Sequence, residues 1–451
     1  MVNRGGRSKA CKTCKRRRVK CDNGKPHCQR CEKAGLTCEG YVTYGEFVDE
    51  TERFRKDKFP ARSGQHELQL VHRPSNPPQQ ELPLPSRLLI NENDIIHTHL
   101  LSKMVEVQPL MTGLESLPTS TRSLAVRALA AVYFGKTNSH KRIFDLGTRE
   151  YGKALKKVHE DLSSDTTVLE WETLVSVLCL CMFESIAFTD KNGWLRHYEG
   201  ISELVKLRGP WRHQTPLNRE LLRQCRFEII VCALIKRRHC YLALSEWQTV
   251  PWPESVPKTA SDTIHDIFAY VPGQLHDMDR VERGEVDEDF KDDLRQRVEM
   301  TLSNLEDWGQ FYHHPRPLSG SLPDSEVTHS VRDKALLALQ RAIILCMVNL
   351  CALLKVPLVA EIPTAFEDQQ AIRTCIAIEI CQLAISCVGD ESTGTEPLLF
   401  IFPLQIASMN LQAGSAEEKL AEQVMNDVIA GTHGFEIGRR RELRPSRVTN
   451  A

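Results

Sequence analysis

The sequence predicts a mostly α-helical protein in two unequal parts: a small cysteine-rich module at the N-terminus and a large all-α body, joined by a proline-rich linker. Three observations predict it. Six of the 16 cysteines fall within the first 38 residues. Six prolines crowd residues 60–86, with PSNPPQQELPLP at their centre. From about residue 88 onward, apolar residues recur at three- and four-residue spacing, and strand-like alternation is scarce. The boundaries drawn from these shifts are 1–42 for the module, 43–87 for the linker, 88–435 for the body and 436–451 for a basic tail. A length of 451 residues corresponds to about three average domains, so the body has room for a sizeable core.

Charge separates the same two parts. The whole chain carries a formal net charge of −1, yet residues 1–40 hold 12 Lys and Arg against 3 Asp and Glu. The remaining residues hold 46 basic and 56 acidic side chains. A basic arm on an acidic body predicts a polyanionic partner for the arm. The opening MVNRGGRSKACK has no apolar run of the secretory type. The longest apolar stretches, Leu174–Phe183 and Ile343–Leu354, are shorter than the ~20 residues of a spanning helix. An intracellular chain with no membrane partner is therefore expected. Its thiols should be reduced, and a tight cysteine cluster then points to metal before disulfides.

The first element is that cluster: Cys11, Cys14, Cys21, Cys28, Cys31 and Cys38. The spacing C-x2-C-x6-C occurs twice, and each cysteine of the second set lies 17 residues after its counterpart. A C-x2-C pair at a turn entering a helix aims two thiolates at one metal, and six further residues let the chain return a third. Zinc takes four tetrahedral ligands, at about 2.3 Å for sulfur. Three per copy is one short. Two zinc ions sharing six thiolates require two bridging thiolates, and the internal duplication makes those equivalent positions in the two copies. The alternatives are three disulfides, or two separate three-cysteine sites completed by His27 or water. Disulfides conflict with the reduced compartment, and His27 adjoins Cys28, where it can hardly turn inward beside it.

The two copies differ in charge. The first six-residue spacer is KRRRVK and the second is EKAGLT. Two zinc ions and six thiolates leave the module at about +7, enough to drive phosphate binding. Charge gives affinity; specificity needs rigidly held donors, and arginine forks suit the O6 and N7 edge of guanine.

Residues 10–41, ACKTCKRRRVKCDNGKPHCQRCEKAGLTCEGY, resemble the fungal zinc binuclear cluster (Zn2Cys6) DNA-binding domain. The six cysteines, the basic first spacer and the proline before the fourth cysteine carry the resemblance, over less than a tenth of the chain. It implies two zinc ions bridged by Cys11 and Cys28, with Cys14 and Cys21 completing one site and Cys31 and Cys38 the other. It also implies that the basic segment reads CGG-like triplets in the major groove, with Arg17 and Arg18 on bases and Lys12, Lys15, Arg16 and Lys20 on phosphates. At the position of Arg18 the family often carries lysine. Pro26 stands where the family carries a loop proline. A homodimer is one expectation, but no sustained heptads follow Tyr41; FVDETERFRK is one short segment.

The body is read as roughly 10–14 helices. Residues 121–134 begin with a cap and end at Gly135. Residues 166–187, 193–208, 216–240, 329–355 and 365–388 follow, and 250–282, rich in Pro, Gly and Asp, reads as a long loop region. The body's ten cysteines read mostly as small buried hydrophobes. The segment GWLRHYEGISELVKLRGP (193–210) resembles the helix and Arg-Gly-Pro stop of the regulatory region in fungal zinc-cluster regulators. Its residues Trp194, Tyr198, Ile201, Leu204 and Val205 form an apolar stripe, expected as core and secondarily as a pocket wall. The run EVDEDFKDD (285–293) reads as a solvated helix start, with recruitment of transcription machinery as the second reading.

No catalytic constellation is present: no Gly-rich phosphate loop, no G-x-S-x-G and no H-E-x-x-H, while His197, His239, His313 and His314 stand apart from any metal spacing. The expectation is thus a nuclear, non-enzymatic, sequence-specific regulator of RNA polymerase II genes. Double-stranded DNA is its partner, and co-regulators or a small-molecule effector act on the body. Metabolic or secondary-metabolite genes are the targets the resemblance implies. The rivals are an interaction scaffold whose cluster does not select DNA and, more remotely, an enzyme within the helical body.

Overall fold

The computed structural model describes residues 10–17, 19–24, 28–38, 91–104, 120–313, 330–358, 369–387 and 396–439. Arg18, Pro26, His27, the segment 47–56, the linker, His314 and the tail from 440 lie outside these residues. The chain divides into two units, Met1–Leu84 and Pro85–Ala451. Among the described residues there are helices and turns and no strand.

The first unit contains two single-turn helices, α1 (Lys12–Arg16) and α2 (Gln29–Glu32). They are too short to persist on their own. Their hydrophobic content is the cysteine cluster itself, in which Cys11, Cys14, Cys28 and Cys31 are fully buried and Ala10 and Val19 pack against them.

The second unit begins with α3 (Glu92–Lys103), α4 (Thr121–Thr137) and α5 (Lys141–Leu162). Ser120 caps α4 by accepting a hydrogen bond from the Ser123 N–H at 3.1 Å. Gly135, expected to end this helix, lies inside it. A Cβ there would sit 2.5 Å from the Phe144 amide nitrogen, and one at Gly147 would sit 2.6 Å from that of Val132. These two glycines are what let α4 and α5 press backbone to backbone.

Next come α6 (Trp171–Ala187), α7 (Gly193–Arg208) and α8 (Pro216–Ile235), each packed on the one before. The stretch expected as one helix from 166 is broken at Glu170, whose backbone is extended. Helix α8 stops at Ile235 rather than 240, because Arg237 adopts a left-handed conformation (φ 49°). The apolar stripe of α7 is core: Tyr198, Ile201, Leu204 and Val205 are buried and Trp194 packs on the same cluster.

Residues 250–282 are mostly helical, which corrects the expectation of a long loop. Helix α9 (Ser245–Thr249) ends just before this region, and α10 (Ala260–Phe268) and α11 (Val271–Glu282) occupy most of it. Thr259 and Asp262 form a reciprocal capping box for α10, and Pro272 lies in the first turn of α11, where its missing N–H costs nothing. Asp262 also takes the Arg223 guanidinium at 2.9 Å, and the buried Arg226 reaches both Asp262 and Asp266 while lying 4.9 Å over the Trp252 ring. The composition looked loop-like because its Asp residues serve as caps and ion-pair partners, its Pro272 opens a helix and its Gly273 lies inside one.

Helices α12 (Glu288–His313), α13 (Val331–Leu354), α14 (Gln369–Ile385), α15 (Glu396–Leu399), α16 (Ile401–Ser408) and α17 (Ala416–Gln423) complete the body, followed by a π-helical segment, Val424–Thr432. Asp287 accepts from the Phe290 N–H at 2.9 Å, so the acidic run does open a helix. Helix α13 is longer than the apolar run within it and has a stretch apolar enough to cross a membrane, 61% of it buried within the protein. It packs against α12, α14 and α16 as a core helix. Eight of the ten body cysteines are buried; Cys346 is half-buried and Cys375 exposed. The turn Glu436–Gly438, assigned to the tail by sequence, is held to α4 by Lys136–Glu436 at 3.1 Å.

Candidate metal centre and nucleic-acid interface

None of the six N-terminal cysteines is in a disulfide, and their sulfurs converge. The sulfurs of Cys11, Cys14, Cys21 and Cys28 lie within 4.8 Å of one another, as do those of Cys11, Cys28, Cys31 and Cys38. Cys11 and Cys28 belong to both groups. Their sulfurs are 3.5 Å apart, and Cys14–Cys28, Cys11–Cys31 and Cys14–Cys31 are at 3.7, 3.8 and 3.8 Å. A tetrahedron with bonds of about 2.3 Å has edges of about 3.8 Å, so the separations within each group fit zinc, while Cys14–Cys31 runs between the groups. A disulfide, at about 2.05 Å, is far shorter than any of these separations.

The internal duplication is visible in the hydrogen bonds. The Cys14 N–H points at the Cys11 sulfur (3.3 Å) and the Cys31 N–H at the Cys28 sulfur (3.4 Å). The Cys11 N–H points at the Cys21 sulfur (3.5 Å) and the Cys28 N–H at the Cys38 sulfur (3.4 Å). Backbone N–H groups aimed at sulfur stabilise thiolate. Two contacts tie the copies together. Thr13 donates to the Thr37 carbonyl at 3.1 Å, and Asp22 accepts from the Gln29 and Arg30 N–H groups at 3.0 and 3.1 Å, capping α2 from the other copy's loop. Burial pushes the Cys11 thiol up to about 12 and raises Cys14 and Cys28 as well. Thiolates so buried require a compensating cation, and bound zinc supplies that charge and deprotonates its ligands.

The basic segment leaves this core directly. Arg16 and Arg17 are exposed at the end of α1, with the Arg17 N–H donating to the Thr13 carbonyl at 3.1 Å. Val19 turns inward onto the cysteines, its N–H donating to the Cys14 carbonyl at 3.1 Å, and Lys20 is exposed again beyond it. Lys12 and Lys15 lie on α1; their side chains are outside the described residues, as is Arg18. The second copy offers no such patch: around α2, Arg30 and Lys33 are exposed beside Glu32.

Two family models match the chain. Residues 9–43 match the fungal Zn(2)-Cys(6) binuclear cluster domain, and residues 117–268 match the fungal specific transcription factor domain. The chain carries the two domains of a fungal zinc-cluster transcription factor. The binuclear cluster domain implies two zinc ions, binds DNA and belongs to a transcription-factor family rather than to an enzyme. The matched part of the body runs from just before α4 to the end of α10, and so takes in the first part, 250–268, of the region that composition alone marked as loop.

Among curated relatives, an uncharacterized protein of Emericella nidulans is 34% identical over 126 residues, 28% of this chain and 27% of that one. An aspercryptin biosynthesis cluster-specific transcription regulator of the same organism is 38% identical over 67 residues, 15% of this chain and 10% of that protein. The arginine metabolism regulation protein II of Saccharomyces cerevisiae is 59% identical over 39 residues, 8% of this chain and 4% of that protein. The matches therefore span about a quarter or less of these relatives' lengths. No solved structure matches the chain.

Proposed function

We propose that this zinc-cluster protein acts in the nucleus as a sequence-specific DNA-binding regulator of transcription, and that all six N-terminal cysteines hold its two zinc ions with Cys11 and Cys28 as bridges. One observation carries the reading: two four-sulfur groups share that pair, and the same fold exposes Arg16 and Arg17 at the end of α1. Zinc fixes a segment that is otherwise too short to be ordered, and a fixed arginine can discriminate bases. Arg17 and Arg18 are the base-reading candidates. Lys12, Lys15, Arg16 and Lys20 supply phosphate contacts, and CGG-like triplets are the sequence class that guanine-directed arginines favour. The names of two relatives, one tied to a biosynthetic cluster and one to arginine metabolism, support metabolic or secondary-metabolite genes as targets.

The test is fluorescence anisotropy of the full zinc-loaded chain on a CGG-bearing duplex and a scrambled one. Arg17→Ala and Arg18→Ala should each remove ~1–3 kcal/mol of discrimination between the duplexes. Lys20→Ala should weaken both duplexes alike and flatten the salt dependence. Equal affinity of the unmodified chain for both duplexes would favour a scaffold whose cluster does not select DNA.

A further inference from the structure

We propose that His239, His276 and Asp277 form a third metal site, for a divalent cation of the zinc class, within the helical body. His239 lies in the chain after α8; His276 and Asp277 lie on α11. One ligand atom from each falls within 4.8 Å of the others. His239 Nε2 is 3.3 Å from Asp277 Oδ1, about the edge of a tetrahedron with nitrogen and oxygen ligands at about 2.0 Å.

Each ligand is held in place by something other than its neighbours. His276 Nδ1 is 2.9 Å from the Arg237 carbonyl oxygen. A carbonyl only accepts, so Nδ1 carries the proton and Nε2 keeps its lone pair, the arrangement that orients a metal-binding imidazole. His239 lies against Gly273, where a Cβ would come within 2.6 Å of Nδ1. The glycine in α11 thus makes the space that ring occupies, its other nitrogen toward the carboxylate. The Asp277 side chain is only 3% exposed, and its Oδ2 pairs with Arg297 at 2.9 Å. Its Oδ1 is buried with no hydrogen-bond partner. Such an oxygen is costly to leave unsatisfied, and a cation beside it would satisfy it.

Imidazole with carboxylate suits Zn2+, Co2+ or Ni2+ better than Ca2+ or Mg2+. Three protein ligands leave a coordination position open. His239 is 62% exposed, so the ion enters from solvent. Arg280 lies 3.8 Å from Asp277 Oδ1, and its charge with that of Arg297 makes this site weaker than the thiolate cluster and exchangeable with it fully loaded. Arg237 is neutralised by Asp279 at 3.2 Å. Occupied, the site would clamp the end of α8 to α11.

The experiment uses the full chain with its cluster loaded with zinc. Equilibrium dialysis against zinc chloride should give three ions per chain, and two in His239→Ala, His276→Gln and Gly273→Ala. Added cobalt should produce ligand-field absorption without thiolate charge transfer, and that absorption should vanish in the same variants. His239→Ala alters an exposed side chain and should leave the helical circular dichroism intact. Gly273→Ala should do the same, since alanine favours a helix interior, so its loss of cobalt reads the displaced imidazole. A count of two in the unmodified chain, or a third ion that survives His239→Ala and His276→Gln, overturns the proposal. DNA binding is unaffected by either result, so failure here is distinguishable from failure of the regulator reading.

Discussion

Cys11 and Cys28 differ from the other four cysteines of the cluster in belonging to both sulfur groups. That difference makes a prediction at the scale of one residue. Cys28→Ala should release both zinc ions together, measured as metal per chain after gel filtration, whereas loss of one ion would contradict a shared sulfur. Most of this site was legible in the sequence, because ligand spacing is a local property and the 17-residue offset reports the duplication directly. The bridging pair is what the resemblance implies, and Cys11 and Cys28 are the two cysteines common to both sulfur groups. Asp22 was not legible. A carboxylate that caps a helix of the other copy leaves no signature in spacing. His239 carries no local spacing signal either, because His276 and Asp277 lie 37 and 38 residues downstream, on a helix that the composition concealed.

At the scale of elements, periodicity identified α7 and α13 nearly to the residue, because each carries clear apolar spacing and a strong boundary: Gly209–Pro210 after α7 and the Ser330–Asp333 capping box before α13. It failed where one residue type has two meanings. Gly135 resembled a helix stop and is a contact point between α4 and α5. Gly147 on α5 has the same role, and Gly152 on that helix has nothing within 4 Å of its added Cβ. The two therefore make an opposed pair. Gly152→Ala should stabilise the body by about 0.5–1 kcal/mol. Gly147→Ala should destabilise it by ~1–3 kcal/mol, since the clash is with backbone and outweighs the helix preference. Thermal unfolding of both variants checks the signs; a stabilised Gly147→Ala would show that α4 and α5 separate without cost.

For the whole molecule, the body's buried titratable groups set its response to acid. Burial holds His197, His213 and His265 neutral, lowering each from 6.5 to about 4, while burial raises Glu228 from 4.5 to about 7. Between about 4.5 and 6.5 the unfolded chain binds protons at three histidines that the folded chain refuses. The folded chain retains one at Glu228 that the unfolded chain has lost. The histidines outnumber the carboxyl, so the unfolded state binds more protons and stability falls as pH drops through this window. Urea midpoints measured at both ends of the window should show this; a body more stable at the acid end would mean these imidazoles are not buried neutral.

The charge asymmetry places DNA affinity in the N-terminal module, and the regulator reading rests on zinc turning that charge into selectivity. The most direct test is selection from random duplex DNA by the full-length protein, with and without a zinc chelator. The account predicts enrichment of CGG-like triplets that disappears with the chelator, one triplet marking a monomer and two at fixed spacing a dimer. Zinc-loaded protein that enriches no sequence would contradict it.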